Sequence, residues 1–215
     1  MEDYFKLGVV IPYYRTSTIR EVLMKELVQN IQAQIVNVPD VYVCIYEDGS
    51  NSSWLDKINN EHIHILRGDC NKGISYARNR CIDYLLNIGC NYMVFVDSDD
   101  FLEYDYFNSI FWKWIEEPRL YYFTDFDILG NISPRVGLKE RVTGIIFHKS
   151  LLEYARFDES IRIAEDVDFN DRYMRDKLTE PYYIDTTYHY NFGIDKHCLS
   201  YQAIIERGDR LETNR

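Results

Sequence analysis

The sequence predicts an α/β protein with a mainly parallel central sheet flanked by helices, and three observations lead to that class. Four short, nearly continuous apolar runs, LGVVIP (Leu7–Pro12), VYVCIY (Val41–Tyr46), IHIL (Ile63–Leu66) and YMVFV (Tyr92–Val96), have the pattern of strands covered on both faces. Apolar residues at helical spacing lie between the first two runs and before the fourth. The resulting order of strand, helix, strand, strand, helix, strand is the one that folds into a parallel sheet with helices on its faces.

Each element has its own justification. After the first strand, Ile19, Val22, Leu23, Leu27 and Ile31 recur as one helical face, and TIRE (Thr18–Glu21) reads as a capping box in which the Thr18 hydroxyl takes a free backbone N–H. Before the fourth strand, Ala77, Cys81, Ile82, Leu85 and Leu86 form a second stripe, with Gly89 positioned as its C-terminal cap. Further on, Phe107, Ile110, Phe111 and Trp114 repeat at helical spacing up to Pro118, so this helix packs on the sheet and its aromatics are core. From Thr124 to Arg141 the pattern is lost around Gly130, Pro134 and Gly137, which predicts a loop over the site.

Length and composition bound the function. At 215 residues, with 46% hydrophobic and 27% charged side chains, the chain can bury a full core as one domain. Its net charge of -11 argues against a general affinity for nucleic acid or anionic lipid, so a negative ligand would need a metal ion or a local basic patch. The five cysteines form no Cys-x-x-Cys pair and are odd in number, which argues against a zinc site or a disulfide framework and for a reduced compartment. No run approaches the length of a membrane span and the first ten residues are not those of a signal peptide, so the expected location is cytoplasmic.

Chemistry is concentrated where strands end. Asp97, Asp99 and Asp100 follow the fourth strand directly, and EDGS (Glu47–Ser50) follows the second, at the sheet edge where open α/β folds bind ligands. Crowded carboxylates raise each other's cost of ionisation, and that cost falls when a hard divalent ion sits among them and bridges to a diphosphate. Taken alone, an Asp-x-Asp is more often a solvated acidic turn. An EF-hand is excluded because the sixth and twelfth positions counted from Asp97 hold Leu102 and Asn108. A phosphatase of the aspartyl-phosphate type stays as an alternative, weakened because Phe101 stands where those enzymes have Thr. A dinucleotide-binding dehydrogenase is excluded more firmly, since Pro12–Thr18 contains no glycine for a pyrophosphate to approach.

Five ordered stretches resemble the family 2 glycosyltransferases of GT-A fold. VVIPYYR (Val9–Arg15) is similar to the family's first strand, YEDGSNSS (Tyr46–Ser53) to its Asp-Asp-Gly-Ser turn, and NKGISYARNRCI (Asn71–Ile82) to its Ala-Arg-Asn helix. VDSDDFL (Val96–Leu102) resembles its metal-binding Asp-x-Asp, and AEDVDFNDR (Ala164–Arg172) its late Glu-Asp segment. The resemblance implies a single GT-A domain, with a nucleotide-binding part over about residues 1–103 and an acceptor and catalytic part over about 104–215. It also implies an inverting transfer of a sugar from a nucleotide diphosphate donor, a UDP-sugar by the family's habit, to a hydroxyl of a glycan acceptor. A protein of this fold that binds sugar nucleotides or glycans without catalysis is a second alternative.

The resemblance further assigns roles. Asp48 accepts a hydrogen bond from the nucleotide base, and Pro12 and Tyr13 edge its pocket. Arg78 faces the nucleotide and pairs with Asp48 or a phosphate, the bland reading being a surface helix arginine. Asp97 and Ser98 meet the ribose or the metal, Asp99 is the direct ligand of Mn2+ or Mg2+, and Asp100 supports it from behind. Asp166 is the general base, with Glu165 orienting it or binding the acceptor; acids also simply suit a helix start. His189 is a candidate metal ligand that would favour Mn2+, with His197 as its substitute, although a lone His among tyrosines is more often structural. The late tyrosines carry no site assignment, and Leu199–Arg215 is a candidate surface for self-association.

Overall fold

The structure is a computed structural model that describes residues 4–129, 140–178 and 181–191. His197, the segment Leu199–Arg215 and most of the expected loop before Arg141 lie outside those residues.

All four predicted strands and three predicted helices form: β1 (Leu7–Tyr13), α1 (Thr18–Ile35), β2 (Val41–Glu47), β3 (Ile63–Arg67), α2 (Ile74–Asn87), β4 (Tyr92–Phe95) and α3 (Tyr106–Glu116). They are joined by β5 (Phe101–Leu102), β6 (Tyr121–Leu129), β7 (Ile145–His148), α4 (Lys149–Leu152), α5 (Glu165–Tyr173) and β8 (Tyr183–Asn191). The described strands make one sheet of order β3-β2-β1-β4-β7-β6-β8-β5. Its first half is parallel, and β7 enters antiparallel beside β4, so the sheet is mixed beyond the topological centre.

Period-two alternation splits the core into two layers. Leu7, Val9 and Ile11 of β1 and Tyr92 and Val94 of β4 face α1 and α3. Val10, Met93 and Phe95 face the opposite way, onto α2, α4 and α5. Burying each Leu- or Phe-sized side chain contributes about 1.5–3 kcal/mol, so these two faces hold the sheet rigidly behind its carboxyl edge.

Three expectations need correction. Ser17, not Thr18, caps α1: its hydroxyl accepts the Arg20 N–H at 3.1 Å, and Thr18 is already helical. The buried stripe of α1 runs through Leu23, Met24, Leu27, Val28 and Ile31, while Ile19 and Val22 are about half exposed at 50% and 47%. Residues 124–129 are strand, because pairing with β8 gives their backbone a ladder and lets Phe126 and Ile128 alternate with exposed Asp125 and Asp127. The Gly89 cap forms as expected. Its φ of 86° belongs to the left-handed region, and the Gly89 and Cys90 amides donate back to the Leu86 and Leu85 carbonyls in a Schellman closure.

Candidate active site

At the end of β1, Pro12 pairs only with Tyr46 of β2, past the last β1–β4 pair of Val10 with Phe95, so its missing N–H costs no ladder bond on the β4 side. The buried Tyr13 hydroxyl accepts a bond from Ser52 at 3.4 Å, and its carbonyl accepts the Asp48 N–H at 2.8 Å. Asp48 is itself buried, and its carboxylate accepts backbone amides from Lys72 at 2.9 and 3.1 Å and Gly73 at 2.8 Å. It therefore anchors the start of α2 from outside the helix. Gly73 permits this with φ of 99°, and a Cβ there would lie 2.2 Å from the Arg162 guanidinium. Glu47, the residue that departs from the family's paired aspartates, holds the turn: it accepts from the Ser50 amide and hydroxyl and pairs with Arg67 at 3.3 Å.

Arg78 is no surface arginine. Only 1% of its side chain is exposed, and its guanidinium pairs with Asp97 at 3.0 Å, Glu165 at 3.1 Å and, by a shorter contact, Asp166. The expected pairing with Asp48 does not form, because Asp48 is engaged at the α2 N-terminus while Arg78, one turn further in, points at the opposite acids. Burial alone would push the guanidinium pKa down, but the charges of Asp166, Asp97 and Glu165 outweigh that and hold it above its ordinary value. The ring of Phe157 lies 5.1 Å below it.

Around Glu165 and Asp166 the backbone is unusual. Ala164, which precedes α5, is left-handed with φ of 64°, a conformation that costs a non-glycine residue about 1 kcal/mol. Asp166 also accepts the Val142 amide at 3.3 Å. Burial raises the Glu165 carboxyl to about 7, with the neighbouring Asp166 charge adding to it and Arg78 opposing. Burial likewise raises Asp166, partly offset by Arg78.

The Asp-x-Asp turn is braced from β8. The Asp97 amide donates to the Tyr188 hydroxyl at 3.1 Å, the same hydroxyl donates to Asp100, and Asn191 donates to the Asp100 carboxylate at 2.8 Å and the Asp99 carbonyl at 2.9 Å. Asp100 is fully buried, and burial followed by the charges of Asp99 and Asp97 lifts its carboxyl far above the usual range. Its carboxylate is held by Tyr188 and Asn191. Ser98 is buried and accepts from Arg20 at 3.3 Å. Asp99 faces the same guanidinium with both oxygens, at 3.0 and 2.8 Å. Sequence reasoning missed Arg20, Tyr188 and Asn191; the only signal for them was a basic residue in the first turn of α1 and a polar tyrosine-rich strand late in the chain.

His189 is not brought to the aspartates. On β8 its neighbour Tyr188 takes the face that meets Asp97 and Asp100, so alternation turns His189 away, to Glu103 at 3.2 Å and Asp127 at 3.5 Å.

Hard ions take oxygen donors, and Mg2+ or Mn2+ commonly use one or two carboxylates and leave positions for phosphate oxygens. Among the described residues no three His, Cys, Asp or Glu side chains form a cage. Asp97 keeps a quarter of its side chain exposed, at 25%, and uses only Oδ1 on Arg78, whereas both Asp99 oxygens are taken by Arg20. By donor chemistry these two carboxylates suit such an ion, with the Asp99 oxygens engaged by Arg20.

The chain is similar to S. aureus TarS 1-349 (TM-score 0.68, 17% identity, 87% of this chain and 60% of that one) and to TarS 1-349 in complex with UDP-GlcNAc (TM-score 0.71, 16% identity, 90% and 60%). At that identity the likeness speaks for the fold, and the chain spans about 60% of the length of those structures. No curated protein matches the sequence. The family itself is settled by sequence: residues 8–180 match the model for glycosyl transferase family 2, and the chain belongs to that family. With that membership the aspartyl-phosphate phosphatase alternative falls.

Among the described residues no helix is long and apolar enough to cross a membrane, and Cys44, Cys70, Cys81 and Cys90 are free thiols.

Proposed function

We propose that the chain is an inverting glycosyltransferase that moves a sugar from a nucleotide diphosphate donor to a hydroxyl of a glycan acceptor in the cytoplasm. The observation that carries this reading is Arg78, whose buried guanidinium ties Asp97 on the donor side to Asp166 and Glu165 on the catalytic side. A uridine donor is supported by the UDP and UDP-GlcNAc complexes of TarS. In this reading residues up to about 103 hold the nucleotide, with Asp48, Pro12 and Tyr13 at the base, and the remainder serves the acceptor.

Asp166 takes the proton from the acceptor hydroxyl as that oxygen attacks the anomeric carbon from the face opposite the diphosphate, so the configuration inverts and no covalent enzyme intermediate is required. Its raised carboxyl makes it a better base than an exposed aspartate, and Arg78 together with the Val142 amide fixes its direction. Glu165 orients the base through the same guanidinium. An ion held by Asp97 and Asp99, Mn2+ or Mg2+, would offset the charge that builds on the leaving diphosphate.

The test is thermal stabilisation by a panel of nucleotide sugars with and without Mn2+. At a donor concentration one hundred times Kd, mass action contributes about 2.7 kcal/mol, or roughly 5–10 °C for a chain of this size. A metal-dependent shift with a UDP-sugar, absent in Asp99→Ala, is expected. Asp166→Ala should keep the shift and lose transfer. Loss of both in Asp166→Ala would remove it as base, and donor binding by the wild type without turnover would leave only a binding protein of this fold.

A further inference from the structure

We infer that Arg20 is a donor-binding residue, one that holds Asp99 while the site is empty and passes to the donor diphosphate when a divalent ion takes Asp99. The inference rests on the reading proposed above and concerns a residue outside every motif that suggested it. Arg20 lies in the first turn of α1, with its backbone N–H bound to the Ser17 hydroxyl, so only the side chain need move. Its guanidinium spans two consecutive members of the Asp-x-Asp turn, Ser98 at 3.3 Å and Asp99 at 3.0 and 2.8 Å.

The two arginines of the site differ in a way that separates their roles. Arg78 is held by three carboxylates and has 1% of its side chain exposed, which makes it a fixed strut. Arg20 has 14% exposed, beside an Asp99 side chain with 8%, at the one motif where the donor diphosphate is expected. Asp97, Asp99, Glu165 and Asp166 outnumber these two guanidinium groups, so a doubly negative donor approaches a cluster with an excess of acids. A positive group able to turn from Asp99 to that donor lowers the electrostatic cost.

Competition follows from the geometry. An ion that takes Asp99 must displace a two-point guanidinium contact, so it binds poorly alone and well once a diphosphate receives Arg20. Ion and nucleotide are thereby coupled, and the coupling is reciprocal.

The experiment compares wild type, Arg20→Ala and Arg20→Lys, measuring Mn2+ affinity without nucleotide and UDP affinity in saturating Mn2+, both by calorimetry. A charge-assisted hydrogen bond of ordinary strength corresponds to roughly tenfold in affinity. Arg20→Ala is expected to bind Mn2+ about tenfold more tightly and UDP about tenfold more weakly, with Arg20→Lys between the two. Opposite signs cannot come from a damaged fold, which would weaken both. Both affinities unchanged, or both lowered together, overturns the role of Arg20 while leaving the transferase reading intact. Wild-type UDP binding indifferent to Mn2+ overturns the metal-dependent reading and this inference with it.

Discussion

Glu165 and Asp166 share one guanidinium and one helical turn, so they titrate as a pair. Burial raises both carboxyls, that of Glu165 to about 7, and the base must be ionised to accept a proton. UDP release by the wild type is therefore expected to rise with pH through a transition above the ordinary aspartate range, and Glu165→Gln, which removes a neighbouring negative charge, should move the transition to lower pH. The stability sign is the reverse of the usual carboxylate case. Because the folded value of Glu165 lies above its ordinary 4.5, the contribution is fully present below about 4.5 and is lost as pH rises through 7. Glu165→Gln should thus gain stability relative to wild type at pH 8 by about 3 kcal/mol, read from paired denaturant titrations at pH 5 and 8. Flat behaviour in both experiments would mean that these acids are not coupled as described. Asp48, Asp97, Asp99 and Asp166 were readable in the sequence because each follows a recognisable apolar run or lies in an ordered motif. Arg20 was not, since its partner Asp99 is 79 positions away and nothing local marks the pairing.

At the scale of elements, the segment that delivers Asp166 is pinned by α2. Asn79 exchanges bonds with the Phe157 backbone at 3.0 Å each way, Ser75 donates to the Ile161 carbonyl at 3.3 Å, and Arg162 donates to the Lys72 carbonyl at 2.7 Å. The Ala-Arg-Asn stretch thus does two jobs: its arginine enters the site and its asparagine fastens the approach to α5. Ala164 absorbs the remaining turn in left-handed geometry. Ala164→Gly is expected to relieve that strain and stabilise the protein by about 0.5–1 kcal/mol, a rise in Tm of roughly 1–4 °C, offset in part by the greater freedom of glycine in the unfolded chain. A fall in Tm would show that the αL geometry is not strained in solution. The helices α1, α2 and α3 were legible from their 3.6 periodicity. The late strand β6 was not, because its alternation is short and runs into Gly130 and Pro134, and its pairing partner β8 comes about sixty residues later.

Across the whole molecule, the two core faces meet on β1, β2 and β4, whose residues are almost all buried, whereas β5 is two residues long at the sheet edge. Native-state hydrogen exchange should be slowest in β1 and β4 and fastest in β5, by several orders of magnitude in protection. Equal protection of β5 and β1 would contradict a core centred on the parallel half. By itself the sequence determined the parallel half of the sheet, the helices that cover it and the acids at its carboxyl edge, because alternation, helical spacing and strand-end placement are local signals. Only the tertiary structure decided which charges neutralise which. Arg78 to three acids, Arg20 to Asp99, Tyr188 and Asn191 behind Asp100, and His189 turned away from them all depend on distances between side chains that are far apart along the chain, and Coulomb interactions and hydrogen bonds respond to distance in space.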